Sequence, residues 1–305
     1  MGAECGKTKL GWFLANLDVR RLTICLWFAG LMGASWSTLG QGGEGDSNKP
    51  FPPHKVIGNV YFVGTEQLAS FLVTTPEGHI LINSGYESAV PVIRDAVQRL
   101  GFRFADIKIL LGSHAHRDHM EGDALLKQLT GARVMAMEQD VPALREMRPG
   151  NKPHPVDRVL KDRDEVQLGG TTLVAYLTAG HTKGCTTWTL KAQEGGRAYD
   201  VVIIGSINVP AGAALVNNKD YPQIADDFLR TFTVLRALRS DVFLAPHTTY
   251  YGMPEKYARV SIGAGNPFID PQGLRKRIDE AESSFSLRLN EQRTAARKVA
   301  EEEKK

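Results

Sequence analysis

Three imidazoles and a carboxylate fall within six residues in His114-Ala115-His116-Arg117-Asp118-His119. Neutral imidazole and carboxylate together suit zinc and related borderline cations, whereas structural zinc sites draw on cysteine thiolates, which are missing from this segment. The residue types therefore point to an open, catalytic metal site. An incidental polar loop would also be rich in such residues, but the tight clustering after an apolar run weighs against it.

The flanking sequence sets the geometry. Ile107-Lys108-Ile109-Leu110-Leu111 is a β-branched, apolar run of buried-strand length, and Gly122 to Leu129 reads as a helix. The hexapeptide thus occupies a strand-to-helix turn. In an extended turn His114 and His116 converge on one ion, while Asp118 and His119, entering the helix, reach a second ion beside it.

Tetrahedral zinc needs further ligands, and five other histidines exist. His181 follows the apolar run Thr171 to Thr178 between Gly180 and Gly184, which let backbone approach closely. His247 ends the buried-strand run Asp241 to Pro246. Both are expected as ligands. His54, His79 in the hairpin turn after Pro76, and His154 between two prolines have no such setting and are expected on the surface or in loops, His154 bordering a pocket.

His114-x-His116-x-Asp118-His119, then Gly180-His181-Thr182-x-Gly184, then Pro246-His247 resemble the metallo-β-lactamase superfamily over nearly all of Val56 to Arg259. The resemblance implies an α/β fold, the αβ/βα four-layer sandwich. Glyoxalase II, lactonases, arylsulfatases and ribonuclease Z share that fold, so it leaves the substrate open.

Ser206 discriminates among them. Many hydrolases of the superfamily bridge two metals with an aspartate here, and some β-lactamases use a cysteine, but a neutral hydroxyl is a poor zinc ligand. The remaining set, His114, His116 and His181 for one zinc and Asp118, His119 and His247 for the other, resembles subclass B3 metallo-β-lactamases. Val156 to Leu160, His181 to Trp188 and Asp226 to Phe232 are similar to that subclass too. Departures are Asn83-Ser84-Gly85 in place of an Asp-Gly-Gly-like turn, which removes a buried carboxylate, Met120-Glu121 in place of two small residues, and Asn208 in place of a second serine. An asparagine amide still donates hydrogen bonds. Arg117 either adds positive charge near the metals or points outward.

The resemblance implies two Zn2+ ions as cofactors and zinc-dependent hydrolysis of the β-lactam ring amide, conferring antibiotic resistance. Zinc lowers the pKa of bound water from about 15.7 to around 7, so a metal-bridging hydroxide oriented by Asp118 is the expected nucleophile and no serine-histidine dyad is needed. Ser206, Asn208 and Thr182 are expected to dock the substrate carboxylate. The alternatives are a hydrolase of lactones or small esters and a non-catalytic metal-binding protein, the latter disfavoured because all six ligands are kept.

Lys7, Lys9, Arg20 and Arg21 precede the apolar run Leu22 to Met32, and small residues follow. Residues 1–40 therefore read as a secretory signal cleaved between Gly33 and Gln41, and the protein is expected to be periplasmic or secreted, with no stable membrane association after cleavage. An uncleaved anchor is the alternative, and Arg20-Arg21 fits a twin-arginine signal and an ordinary positive n-region equally. Cleavage would leave Cys185 as the one cysteine, a small buried residue unable to form an internal disulfide.

Residues 41–53, rich in Gly, Ser, Asn and Pro, read as a flexible linker or an arm over the site, and 54–305 as the catalytic domain with a C-terminal helix. Strands are expected at Val56 to Val63, Ser70 to Thr74, Ile80 to Asn83, Ile107 to Leu111, Arg133 to Ala136, Thr171 to Thr178, Thr186 to Lys191, Asp200 to Ile204 and Val242 to Leu244. Helices are expected at Ser88 to Leu100, Gly122 to Leu129, Gln139 to Met147, Tyr221 to Leu238 and Leu274 to Arg293, with Glu301 to Lys305 frayed. Net charge is +3, and the first forty residues carry four basic and two acidic side chains. Nothing resembles a basic stripe with interleaved aromatics, so nucleic acid is not an expected partner, while the resemblance implies a small-molecule β-lactam.

Overall fold

In a computed structural model, residues 47–263 and 265–303 are described. The expected signal segment and residues 41–46 lie outside them.

The chain builds two sheets, each with strands in sequence order. The first contains β1 (His54–Ile57), β2 (Val60–Phe62), β3 (Phe71–Thr75), β4 (Gly78–Ile82), β5 (Ile107–Leu111), β6 (Arg133–Met137) and β7 (Arg158–Leu160). Its first four strands are an antiparallel meander, and β4 through β7 run parallel. Parallel neighbours need crossovers, supplied by α1 (Val90–Arg99), the turn α2 (Arg117–Met120) with α3 (Asp123–Thr130), and α4 (Val141–Glu146). The second sheet contains β8 (Glu165–Leu168), β9 (Thr171–Leu177), β10 (Thr186–Glu194), β11 (Arg197–Ile203) and β12 (Val242–Leu244), with β11 and β12 parallel across α5 (Ile224–Arg236). Helices α6 (Met253–Val260) and α7 (Gly273–Glu302) follow.

Side-chain alternation assigns the layers. Ile80, Ile82, Ile109 and Leu111 point into a core shared with Leu173, Ala175, Trp188, Val201 and Ile203 of the second sheet. Leu81, Leu110 and Val134 point the other way, onto Val90, Ile93 and Val97 of α1 and Leu126 of α3. Phe228 and Phe232 of α5 meet Phe285 of α7 on the outer side of the second sheet. The result is the expected four-layer sandwich. A one-residue slip in β4 would exchange the two apolar faces, so register is fixed from both sides.

The differences from expectation are local. Val56 to Val63 is a hairpin rather than one strand, because Gly58 takes φ 52° and reverses the chain before Asn59. Strands β7 and β8 and helix α6 are additional. The C-terminal helix continues to Glu302, past the expected end and into the expected frayed tail. The supposed linker is anchored where it is described: Lys49 O accepts from Glu66 N at 2.9 Å, and Phe51 packs edge-on against Phe62 and Tyr257. Composition alone conceals such docking, since one aromatic suffices for it.

All three histidines expected at the surface or in loops are buried, His54 and His79 within strands and His154 in a loop. His54 stacks between Phe62 and Phe268, with ring centroids 5.1 and 5.4 Å away, and His79 packs on Phe102. His154 lies 3.2 Å from the buried Asp123 carboxylate and 2.9 Å from Met120 O. Short spacings to proline or a turn set backbone shape, not the depth at which the ring ends.

Candidate metal centre

The expected ligands follow the carboxyl ends of strands. His114 comes three residues after β5, His181 four after β9 and His247 three after β12. Sheets of this kind collect functional groups at that end, because the loops there are free of the ladder yet held by rigid strands.

Two groups result. His114, His116 and His181 each place a ring nitrogen within 4.8 Å of the others, and Asp118, His119 and His247 do the same with one atom each. Nε2 of His181 and Nδ1 of His116 are 3.3 Å apart. Asp118 Oδ2 is 3.1 Å from His119 Nε2 and 3.6 Å from His247 Nε2. The groups adjoin, with the rings of His114 and His119 centred 4.4 Å apart.

The donors fit zinc. Nε2 of His114 and Nδ1 of His119 are buried without a hydrogen-bond partner, a costly state that a cation bound nearby would relieve. Desolvation lowers His114 well below the ordinary imidazole range, His181 to about 4 and His247 to about 3. At neutral pH these rings are uncharged and carry a lone pair, as metal ligation requires. Burial alone would raise Asp118, but His119, His247 and His116 together outweigh it and hold the carboxyl well below its usual value.

A second layer of contacts aims the ligands. Asn208 O accepts from His181 Nδ1 at 2.7 Å. Asn83 is at φ 64°, where asparagine is tolerated, and its Oδ1 accepts from Ser113 N at 2.8 Å while Nδ2 donates to Ala69 O at 3.3 Å. The missing aspartate is thus replaced by an amide that makes a donation no carboxylate could. Met120 fits because Gly112 presents no Cβ, which would otherwise lie 2.2 Å from the methionine sulfur. Arg117 turns outward, its Nε and guanidinium nitrogen 2.9 and 2.7 Å from Glu121 Oε1.

The three residues expected to dock substrate differ. Ser206 is buried, and its hydroxyl has no hydrogen-bond partner among the described residues. Asn208 Oδ1 accepts from Arg277 of α7, which as a pure donor fixes the amide orientation and leaves Nδ2 to donate elsewhere. Thr182 departs from expectation: its only hydroxyl proton goes to Asp140 Oδ2 at 2.8 Å, so it has none for a substrate carboxylate. Asp140 and Arg277 escape sequence reasoning, since one sits in a run read as helix and the other on a helix remote in sequence. A pocket of about 380 Å³ lined by Ala115, His116, Arg117, Glu121, Met147 and Arg148 opens beside the first group.

Comparison with known proteins agrees with this geometry. Residues 63–247 match the metallo-beta-lactamase superfamily. The native FEZ-1 metallo-beta-lactamase from Legionella gormanii is 45% identical, with 81% of this chain and 98% of that one covered and a TM-score of 0.78. BJP-1, a subclass B3 metallo-beta-lactamase of Bradyrhizobium japonicum, is 37% identical, with 82% and 98% covered and a TM-score of 0.76. A hydroxyacylglutathione hydrolase of Rhodopseudomonas palustris is 27% identical over 181 residues, 59% of this chain and 62% of that enzyme, so the chain spans less than two thirds of its length. With two adjoining ligand groups at the carboxyl ends of two sandwiched sheets, the chain belongs to the metallo-β-lactamase superfamily, and its structural relatives are subclass B3 enzymes.

Proposed function

We propose that this protein is an exported zinc-dependent β-lactamase that opens the ring amide of β-lactam antibiotics. The observation that carries the reading is the likeness to FEZ-1 along 98% of that enzyme at 45% identity. Ser206, in place of a bridging aspartate, supports it, because the second ion would then rest on Asp118, His119 and His247. Export is inferred from the signal-like residues 1–40 alone.

His114, His116 and His181 would hold one zinc and Asp118, His119 and His247 the other. Bound zinc supplies a water acidic enough to attack near neutral pH and an electrophilic centre for the amide. The chain does the rest. Asp118, whose carboxylate lies beside His119 and His247, would accept a hydrogen bond from the attacking water and orient it. The Ser206 hydroxyl and Asn208 Nδ2 donate to the substrate carboxylate and fix the ring over the centre.

The test is turnover of a chromogenic cephalosporin by purified mature protein, beside an acyl-homoserine lactone and a hydroxyacylglutathione thioester. Cephalosporin hydrolysis that stops on chelation and returns with zinc is expected, together with raised β-lactam tolerance in a susceptible host. Turnover that survives thorough chelation, or hydrolysis of the lactone or thioester with none of the cephalosporin, would refute the reading.

A further inference from the structure

Asp140 is a buried carboxylate between β6 and α4, 3% exposed, and it pairs with no lysine or arginine among the described residues. A lone buried carboxylate is expensive unless its oxygens are satisfied. All its donors come from the two loops that carry the first ligand group. Oδ2 accepts from Ala115 N, between His114 and His116, and from Thr182 Oγ1, next to His181, both at 2.8 Å. Oδ1 accepts from Gly184 N at 2.7 Å. The approach is close: a Cβ on Gly184 would lie 2.5 Å from Asp140 N and 2.7 Å from its Cβ and Cγ.

These contacts join the loop after β5 in one sheet to the loop after β9 in the other. Three neutral imidazoles provide no negative charge for a dication, and their nitrogens repel one another when brought within 4.8 Å without one. A carboxylate braced behind both loops answers each need, since it fixes the spacing of the rings and places a negative charge behind the site. We propose that Asp140 is the positioning residue of the three-histidine site, clamping the loops of His116 and His181 so that a first cation is held there in preference to an uncharged, splayed state. The proposal rests on the two-metal reading above.

Cobalt(II) titration of the metal-free mature protein tests it, followed by the visible ligand-field spectrum and by metal counted per chain. His181→Ala identifies the step that belongs to the three-histidine site. Asp140→Asn keeps the shape but turns an NH2 toward a backbone N–H, and Thr182→Val removes one donor while leaving the carboxylate in place. Both should weaken that step alone, Asp140→Asn by about 10- to 100-fold and Thr182→Val by less, with a changed spectrum for it and an unchanged second step. Circular dichroism of the metal-free variants should match the parent. Parental affinities and spectra in both variants would overturn the assignment to Asp140, as would equal weakening of both steps. A parent protein that takes up no cobalt would instead refute the two-metal reading.

Discussion

The backbone carbonyl of Asn208 accepts a 2.7 Å hydrogen bond from Nδ1 of His181, a residue 27 positions earlier in the chain. The bond fixes the tautomer: with Nδ1 protonated, Nε2 carries the lone pair and faces Nδ1 of His116 at 3.3 Å. Asn208 therefore makes two contacts here, its backbone aiming His181 and its side-chain oxygen held by Arg277, which leaves Nδ2 to donate elsewhere.

Ser206 and Arg277 should separate substrate docking from chemistry. Ser206→Ala removes an unpartnered hydroxyl, and Arg277→Met frees the Asn208 amide to rotate. Each variant loses about one hydrogen bond to the carboxylate, roughly 0.5–1.5 kcal/mol, so KM should rise about 2- to 12-fold with kcat little changed. Steady-state kinetics at saturating zinc checks this, and a fall confined to kcat would contradict it.

Asn83→Ala should destabilise the protein by about 2–4 kcal/mol. It strips partners from the buried Ser113 N and Ala69 O and leaves a Cβ residue at φ 64° without the local bonding that asparagine provides. Chemical denaturation at fixed zinc concentration measures the loss, and a change below 1 kcal/mol would be inconsistent with this account.

Metal-free protein should lose stability as pH falls from about 6.5 toward 3. Burial lowers His54, His181 to about 4 and His247 to about 3, so over this window the unfolded chain binds protons that the folded chain refuses. Their contribution is complete above the unfolded value near 6.5 and is lost below it. His154 opposes them: burial pulls it down, but Asp123 together with the backbone at Met120 and Pro155 raises it, which favours the folded state at low pH. Urea midpoints at pH 7.5 and pH 5 give the net sign, and His54→Phe should flatten the slope.

Gly205→Ala should cost about 1–3 kcal/mol, because the new Cβ would lie 2.4 Å from the Cys185 sulfur. Burial pushes that thiol up to about 12, so it acts as a neutral packing group. In a Cys185→Ala background the same substitution should cost less than in the parent. A double-mutant cycle from denaturation midpoints measures the coupling, and strict additivity would contradict the contact.

Both metal groups and the strands before them are legible in sequence, because a histidine just after an apolar, β-branched run falls at the carboxyl end of a buried strand, where loops gather ligands. The hairpin at Gly58 is less legible, since one glycine within a strand-like run also suits a bulge. The burial of His54, His79 and His154 is not legible at all, since none has a periodic pattern around it.

What the sequence determines by itself is chemistry and local form: six ligand types, their strand-end settings, and a serine where an acid would bridge. Only the tertiary structure decides what stands behind those ligands. Asp140 lies 42 positions before Thr182 and Arg277 lies 69 after Asn208, so their hydrogen bonds exist only once both sheets and the last helix have packed. A side-chain bond is a short-range, directional contact between groups whose separation along the chain carries no signal, and folding alone brings them within about 3 Å.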